Sequence, residues 1–335
     1  MRPLDAIVCI GRYSPFTAAQ RAVVAQALIR AERVIVVVGA ARRPRTIAHP
    51  FTAAERIEMV AAAFEPADRA RIACGAVVDA LYNDAQWVRA VQAEVARLAG
   101  GATRIGLIAA ACHLAKFPQW EAVGTLDESA SGILPRYLGT PDDPHARTAI
   151  EQAVPLGVGG WLDRFRASEA FAKLVREYAF IGDYKAAWKL APYPPVYVTV
   201  DAAIVHSGHL LLIRRGRDPG QGLWALPGGF LDQEERIFDA CIRELREETR
   251  LAIPAEVLRG ALRESHVFDH PRRSLRGRTI THAFCFVFAG GPLPAVTPDD
   301  DADAARWVPL DELVALSELL FDDHYDIATY FLGRI

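Results

Sequence analysis

Three glutamates, Glu244, Glu247 and Glu248, stand at i, i+3 and i+4 in the run Cys241-Ile242-Arg243-Glu244-Leu245-Arg246-Glu247-Glu248-Thr249-Arg250-Leu251. On a helix that spacing puts the carboxylates on one face within a turn, where like charges repel unless something offsets them. A hard divalent cation such as Mg²⁺, or Mn²⁺ in its place, takes carboxylate oxygens and brings a phosphate into its shell. The pattern therefore points to metal-assisted chemistry on a phosphate. A glycine loop feeds the helix: Leu226-Pro227-Gly228-Gly229-Phe230-Leu231-Asp232-Gln233-Glu234-Glu235. The plain alternative is a solvated acidic face.

The spacing resembles the Nudix box, G-x5-E-x7-R-E-U-x-E-E-x-G-U with U aliphatic. Gly229, Glu235, Arg243, Glu244, Leu245, Glu247, Glu248 and Leu251 fall where the pattern asks, and Arg250 stands where it has its second glycine. Glycine after a helix commonly takes the left-handed conformation that ends it. Arg250 either accepts strain of roughly 1 kcal/mol or ends the helix in another way. The resemblance implies a Mg²⁺-dependent hydrolase, with Glu244, Glu247, Glu248 and the Gly228 carbonyl as metal ligands. Arg243 then orients carboxylates by bidentate hydrogen bonds, and Glu235 is a structural partner for Arg243 or the helix. A general base from outside the box is common in that family. Glu264 and Asp299-Asp300-Asp301-Ala302-Asp303 are the candidates, against an acidic loop without function.

Substrate choice belongs outside the box. The basic segment from Val267 to Thr281 resembles the R-x-x-R-G-R stretch of ADP-ribose-type Nudix enzymes. Arg276 and Arg278, flanking Gly277, are candidates for a pyrophosphate or a ribose, and Phe268 for stacking on adenine. His266, His270 and His282 share no metal-ligand spacing and read as structural.

The elements that must position these residues come from two domains, the natural prior for 335 residues of which about half are apolar. A net charge of -3 argues against nucleic acid as the main ligand. Five cysteines without a C-x-x-C pair indicate neither a disulfide framework nor a zinc ribbon, and fit a reducing cytoplasm. No signal-peptide pattern and no stretch of ~20 apolar residues is present, so no membrane association is expected. A homo-oligomer is compatible with all of this.

In the first half, Ala6-Ile10 and Arg33-Val38 read as strands around the helical pattern Ala18-Ala31, a βαβ unit. The turn Gly11-Arg12-Tyr13-Ser14-Pro15-Phe16-Thr17-Ala18-Ala19-Gln20 is a plausible anion or nucleotide seat. Thr52 with Glu55 forms a capping box. This half, about residues 5–190, resembles the nucleotidyltransferase domain of NMN adenylyltransferases in the subfamily fused to a Nudix domain. That family carries G-R-F-x-P-x-H-x-G-H after its first strand. Here Gly11, Arg12, Tyr13 and Pro15 match, while the H-x-G-H positions hold Thr17, Ala18, Ala19 and Gln20. A Lys-Asp pair is replaced within Ala109-Ala110-Ala111, and a late phosphate motif aligns with Asp127–Leu134, where Leu134 replaces an arginine. Losing donors and cations at a phosphoryl-transfer site can cost orders of magnitude in rate. Gly11, Arg12, Thr17 and Arg45 remain candidates for nucleotide binding. Thr17 reads as a helix cap ahead of a phosphate ligand, and Arg42, Arg43 and Arg45 read equally as a solvated basic loop.

Ala191-Pro192-Tyr193-Pro194-Pro195 stops a helical region, which places the domain boundary near residue 192. Beyond it, Val196-Val205 and His209-Arg214 read as a hairpin across Ser207-Gly208, and Thr279-Ala289 as a further strand. The expected fold is α/β: a Rossmann-like nucleotidyltransferase domain with connecting helices over 1–191, then a Nudix α/β/α sandwich over 192–335. The resemblances together imply hydrolysis of ADP-ribose, or a related nucleoside diphosphate derivative, to AMP and ribose 5-phosphate, beside an impaired adenylyltransferase domain. The rivals are a bifunctional enzyme that also makes NAD from NMN and ATP, and a sensor that binds ADP-ribose or NAD without cleaving it.

Overall fold

A computed structural model describes residues 4–126 and 132–334. The chain divides into two compact units between Tyr178 and Ala179. The division falls inside the helix Glu169–Ala187, ahead of the proline stop on which the sequence-based boundary rests. Among the described residues no helix is long and apolar enough to cross a membrane.

In the first unit, β1 (Leu4–Gly11), β2 (Ala31–Ala41), β3 (Ile72–Val78), β4 (Ile105–Ala109) and β5 (Glu121–Thr125) form a parallel sheet in the order β3-β2-β1-β4-β5. β1 is central and reads as an unbroken apolar run because both its faces are covered. Ile7 and Cys9 pack with Val24, Leu28 and Met59, and Ala6, Val8 and Ile10 with Trp87, Val91 and Val95. The strand order reverses about β1, so the loop that starts at Gly11 lies at the switch point where such sheets open a crevice.

In the second unit, β6 (Val196–His206), β7 (His209–Arg215), β10 (Leu262–Phe268), β11 (Arg278–Phe288) and β12 (Ala302–Pro309) form a mixed sheet in the order β10-β11-β6-β7-β12. The short strands β8 (Trp224–Ala225) and β9 (Gly228–Phe230) pair with β7 and β6. Ser207 (φ 46) and Gly208 (φ 74) take the two left-handed conformations that a tight hairpin requires. Successive side chains of β6 go to opposite faces of the sheet, and both faces are buried from Thr199 onward. Val200, Ala202 and Ile204 pack under the helix Ile237–Thr249 through Ala240, Cys241 and Leu245. Asp201, between them, points to the opposite face, where His324 at the start of the helix His324–Leu332 comes within 3.9 Å. Helices thus cover both faces of the sheet. β9, held on β6 by the register Val200↔Gly229, sets the glycine loop against the acidic helix.

Candidate functional site

The helix Ile237–Thr249 buries Ala240, Cys241 and Leu245, which leaves Glu244 and Glu247 at the edge of the buried face and Glu248 in the seam with the glycine loop. Glu248 is only 5% exposed, and its Oε2 accepts the Gly228 N–H at 2.8 Å. Burial pushes the Glu248 carboxyl up to about 8, and burial also raises Glu244 despite the neighbouring Arg243. Gly229 lies so close to Glu244 that an added Cβ would stand 2.5 Å from its carboxyl carbon. A side chain at this position would have to push the Glu244 carboxylate aside, so the glycine keeps that carboxylate in place.

Arg243 ties the arrangement together. Its Nε and Nη2 donate to the two oxygens of Glu235 at 3.0 and 2.9 Å, and its Nη2 also donates to the Phe230 carbonyl at 3.1 Å. Its Nη1 donates to Glu244 and Glu247, each at 2.8 Å. These bonds, that to Glu235 foremost, hold the guanidinium above its ordinary range and Glu235 below its own. Arg250 follows the first of its two alternatives. With φ 49 it is left-handed, its N–H closes on the Arg246 carbonyl at 2.9 Å, and its side chain reaches Asp299 at 2.7 Å.

Among the described residues no three His, Cys, Asp or Glu side chains are gathered closely enough to hold a metal ion. The cause is visible in the hydrogen bonds: Arg243 stands between Glu244 and Glu247, and Glu248 turns to Gly228. The donors still fit a hard divalent cation. They are carboxylate oxygens on one helical turn, and burial raises the carboxyls of Glu244 and Glu248, a cost to their charged forms that a bound cation would offset. Gly228, expected to offer its carbonyl, engages Glu248 through its N–H.

The substrate-side expectations divide. Arg276 lines a cavity of about 30 Å³ beside Gly228 and Gly229, with its guanidinium 4.8 Å over the Phe230 ring. Arg278 does not line that cavity; it donates to the Asp269 carbonyl and lies 3.7 Å from the Asp269 carboxylate. Phe268 requires correction. It is fully buried, packed against His266, Tyr330 and Phe331, so its ring belongs to the core and offers no face to a base. Of the general-base candidates, Asp299 and Asp301 are paired with Arg250 and Arg217, and Glu264 accepts hydrogen bonds from Tyr330 and Arg334. His266 hydrogen-bonds the Tyr330 hydroxyl and His270 the Arg272 N–H, both structural roles.

Sequence reasoning missed charged residues of this cavity, Arg215, Arg273 and Asp322 among them. Arg273, 6% exposed, makes a two-pronged pair with Asp323 at 3.0 and 2.8 Å. Asp322 is pushed up to about 7, mainly by burial. Arg215, the last residue of β7, also lines the wall. A signal existed for Arg215 alone: it follows the apolar run Leu210-Ile213 at the end nearest the glycine loop.

In the first unit, Gly11 ends β1 where an added Cβ would meet Leu126 at 2.6 Å. Arg12 is half-exposed, with its Nη2 3.8 Å from Asp79. Thr17 is a helix cap. Its Oγ1 accepts the Gln20 N–H at 3.1 Å, and the Gln20 side chain accepts the Thr17 N–H at 3.0 Å. This reciprocal box engages donors that an anion at the helix start would need, so Thr17 is corrected from nucleotide ligand to cap. Arg45 is corrected likewise: it is held by both oxygens of Glu55 at 2.9 and 2.8 Å and lies over Phe165. Arg56, unforeseen, is buried and donates to the carbonyls of Arg12, Gly39 and Ala40, fastening the loops after β1 and β2. Positive charge does collect there: burial, Arg12, Arg43 and Arg56 push His49 down to about 3. Within the late motif, Asp127–Ser131 lie outside the described residues, and Leu134 packs on the core.

The family model for the NUDIX domain matches residues 196–331, and the model described as cytidylyltransferase-like matches residues 8–104. The crystal structure of a bifunctional NMN adenylyltransferase/ADP ribose pyrophosphatase from Francisella tularensis, complexed with AMP and a Mn ion, is 30% identical with a TM-score of 0.90. That similarity covers 98% of this chain and 99% of that one. The nicotinamide/nicotinic acid mononucleotide adenylyltransferase of Acinetobacter baylyi is 33% identical over 185 residues, 53% of this chain and 95% of its own length. An ADP-ribose pyrophosphatase of Methanocaldococcus jannaschii is 36% identical over 133 residues, 40% of this chain and 72% of its own.

Proposed function

The chain belongs to the family of bifunctional NMN adenylyltransferase/ADP-ribose pyrophosphatases, and from that premise we propose that its second unit, a Nudix hydrolase, cleaves ADP-ribose to AMP and ribose 5-phosphate. The observation that carries this is the carboxylate seam. Glu244, Glu247 and Glu248 share one helical turn, and Arg243 and Gly228 tie them to a glycine loop that walls a cation-lined cavity. Glu244, Glu247 and Glu248 would hold Mg²⁺, or Mn²⁺ in its place, which supplies charge neutralisation on the diphosphate and Lewis acidity for its cleavage.

The chain's own residues do the rest. Arg243 keeps Glu244 and Glu247 aimed along one side, and Glu235 keeps Arg243 from turning away. The Gly228 N–H fixes Glu248, and Gly229 leaves room for Glu244. All five cysteines are free, which suits work in a reducing compartment such as the cytoplasm.

The kinship of the first unit with adenylyltransferases favours a second reading, in which it makes NAD from NMN and ATP. Against it stand the closed Thr17-Gln20 box and the alanines at 109–111. We read that unit as catalytically impaired. Incubating the full chain with ADP-ribose and Mg²⁺ and separating the products by anion exchange tests the main reading: AMP and ribose 5-phosphate in equal amounts support it, and unchanged ADP-ribose overturns it.

A further inference from the structure

Three consecutive residues of the glycine loop are fastened by three different elements. The Gly228 N–H donates to Glu248 on the helix Ile237–Thr249 at 2.8 Å, and the Pro227 carbonyl accepts the Ala202 N–H of β6 at 2.8 Å. The Leu226 N–H donates to Nδ1 of His324, 98 positions further along, at 3.0 Å. Both partners are buried, and His324 is the first residue of the helix His324–Leu332. Pro227 has no N–H, so Leu226 supplies the last main-chain donor before Gly228. A main-chain N–H can only donate. Nδ1 of His324 is therefore the unprotonated nitrogen, and Nε2 carries the proton of the neutral ring.

The far side of the ring agrees with that tautomer. Nε2 faces Asp201 Oδ1 across 3.9 Å, and a carboxylate favours an N–H directed at it over a bare nitrogen. Asp201 is itself held: its Oδ2 accepts the Thr281 hydroxyl at 2.5 Å and lies 3.9 Å from Arg273, whose guanidinium is taken up by Asp323. The same carboxylate also limits the loop from beneath. A Cβ on Gly228 would stand 2.7 Å from Asp201 Oδ1 and 2.1 Å from the Val200 carbonyl. Burial lowers the His324 pKa; the charges of Asp201 and Asp323 work against that, and those of Arg273 and Arg215 with it. The ring thus stays in the neutral form that can accept from Leu226.

We propose that His324 is a positioning residue: neutral and protonated on Nε2 towards Asp201, it anchors the Leu226 N–H and so sets the Gly228 N–H that fixes Glu248 for metal binding. This rests on the reading of the second unit as a metal-dependent hydrolase. His324 acts through Leu226 and Gly228 and not by contact with the reacting atoms. Without its bond, the start of the loop is free to shift, and the donor to Glu248 two residues on shifts with it.

The test uses the full chain and reads hydrogen–deuterium exchange of the Leu226 and Gly228 amides, calorimetric Mn²⁺ affinity without substrate, and ADP-ribose hydrolysis. His324→Asn sets a side-chain oxygen where Nδ1 stands, His324→Gln reaches past it to where Nε2 stands, and His324→Leu offers neither. The Leu and Gln variants are expected to exchange both amides roughly tenfold faster or more. They should bind Mn²⁺ roughly tenfold more weakly and lose kcat more than they raise KM. The Asn variant should recover most of each. Exchange, Mn²⁺ affinity and kcat all unchanged in His324→Gln, with only the melting temperature lowered, make the residue a plain core side chain and overturn the proposal. Faster exchange with unchanged Mn²⁺ affinity and kcat overturns it too, as does an Asn variant no better than Gln. Should His324→Leu lose its thermal transition, Gln against Asn decides. A wild type that takes up Mn²⁺ but leaves ADP-ribose intact removes the substrate assignment alone, and exchange and Mn²⁺ affinity still decide the role of His324. A wild type that takes up no Mn²⁺ overturns both.

Discussion

The main-chain N–H of Gly228 donates to Glu248 Oε2 at 2.8 Å, so the glycine loop and the acidic helix meet at a carboxylate that is almost fully buried. A buried carboxylate with one neutral donor is an incomplete arrangement. It becomes reasonable when a cation joins it, and it makes the metal-free protein sensitive to pH.

Glu248 has a folded value of about 8 against an ordinary 4.5, so between those values the folded chain binds more protons than the unfolded one. Stability must then fall as pH rises through that window, at up to about 1.4 kcal/mol per pH unit for one group. Asp322, raised to about 7, acts in the same direction. Buried His324, lowered, acts oppositely, but below its ordinary 6.5. In EDTA, the thermal midpoint should therefore drop between pH 6.5 and 8, and Glu248→Gln should flatten that slope. An equal slope in the variant would remove Glu248 as its source.

Gly229→Ala should separate fold from function. The new methyl meets the carboxyl end of Glu244 rather than backbone, so the side chain can swing aside and the chain still folds. With Glu244 displaced, kcat for ADP-ribose should fall by roughly tenfold or more, while the melting temperature stays within a few degrees. Unchanged kcat would show that the position of Glu244 is unimportant.

Glu235 touches the reaction only through Arg243. Glu235→Ala should lower kcat with KM little altered, and Glu235→Asp should restore part of it. Loss confined to stability would make the pair a strut and nothing more.

Thr17→Ala removes one side of the capping box and should cost the first unit about 1 kcal/mol in urea unfolding. ADP-ribose hydrolysis should not change. A parallel loss of hydrolysis would contradict Thr17's assignment as a cap.

The legible and illegible parts of this protein differ by where their information lies. Glu244, Glu247 and Glu248 could be placed because one helix carries them, and spacing along a helix is geometry. Strands such as β1 and β6 could be placed because apolar runs report burial directly. Phe268 could not, since an aromatic at the end of a strand faces core or crevice according to what the helix His324–Leu332 presents to it. Arg45 had the same difficulty: nothing local announces that Glu55 will close on both its nitrogens. Arg215 and Arg276 become neighbours only when β7 and the loop before β11 meet across the sheet.

The most direct measurement is steady-state ADP-ribose hydrolysis with Mg²⁺ by the wild type, Glu247→Gln and Glu248→Gln, with folding checked by circular dichroism. The carboxylate seam predicts AMP and ribose 5-phosphate from the wild type, and a fall in kcat of at least about a hundredfold in each folded variant. A wild type that leaves ADP-ribose intact, or variants that remain fully active, would contradict it.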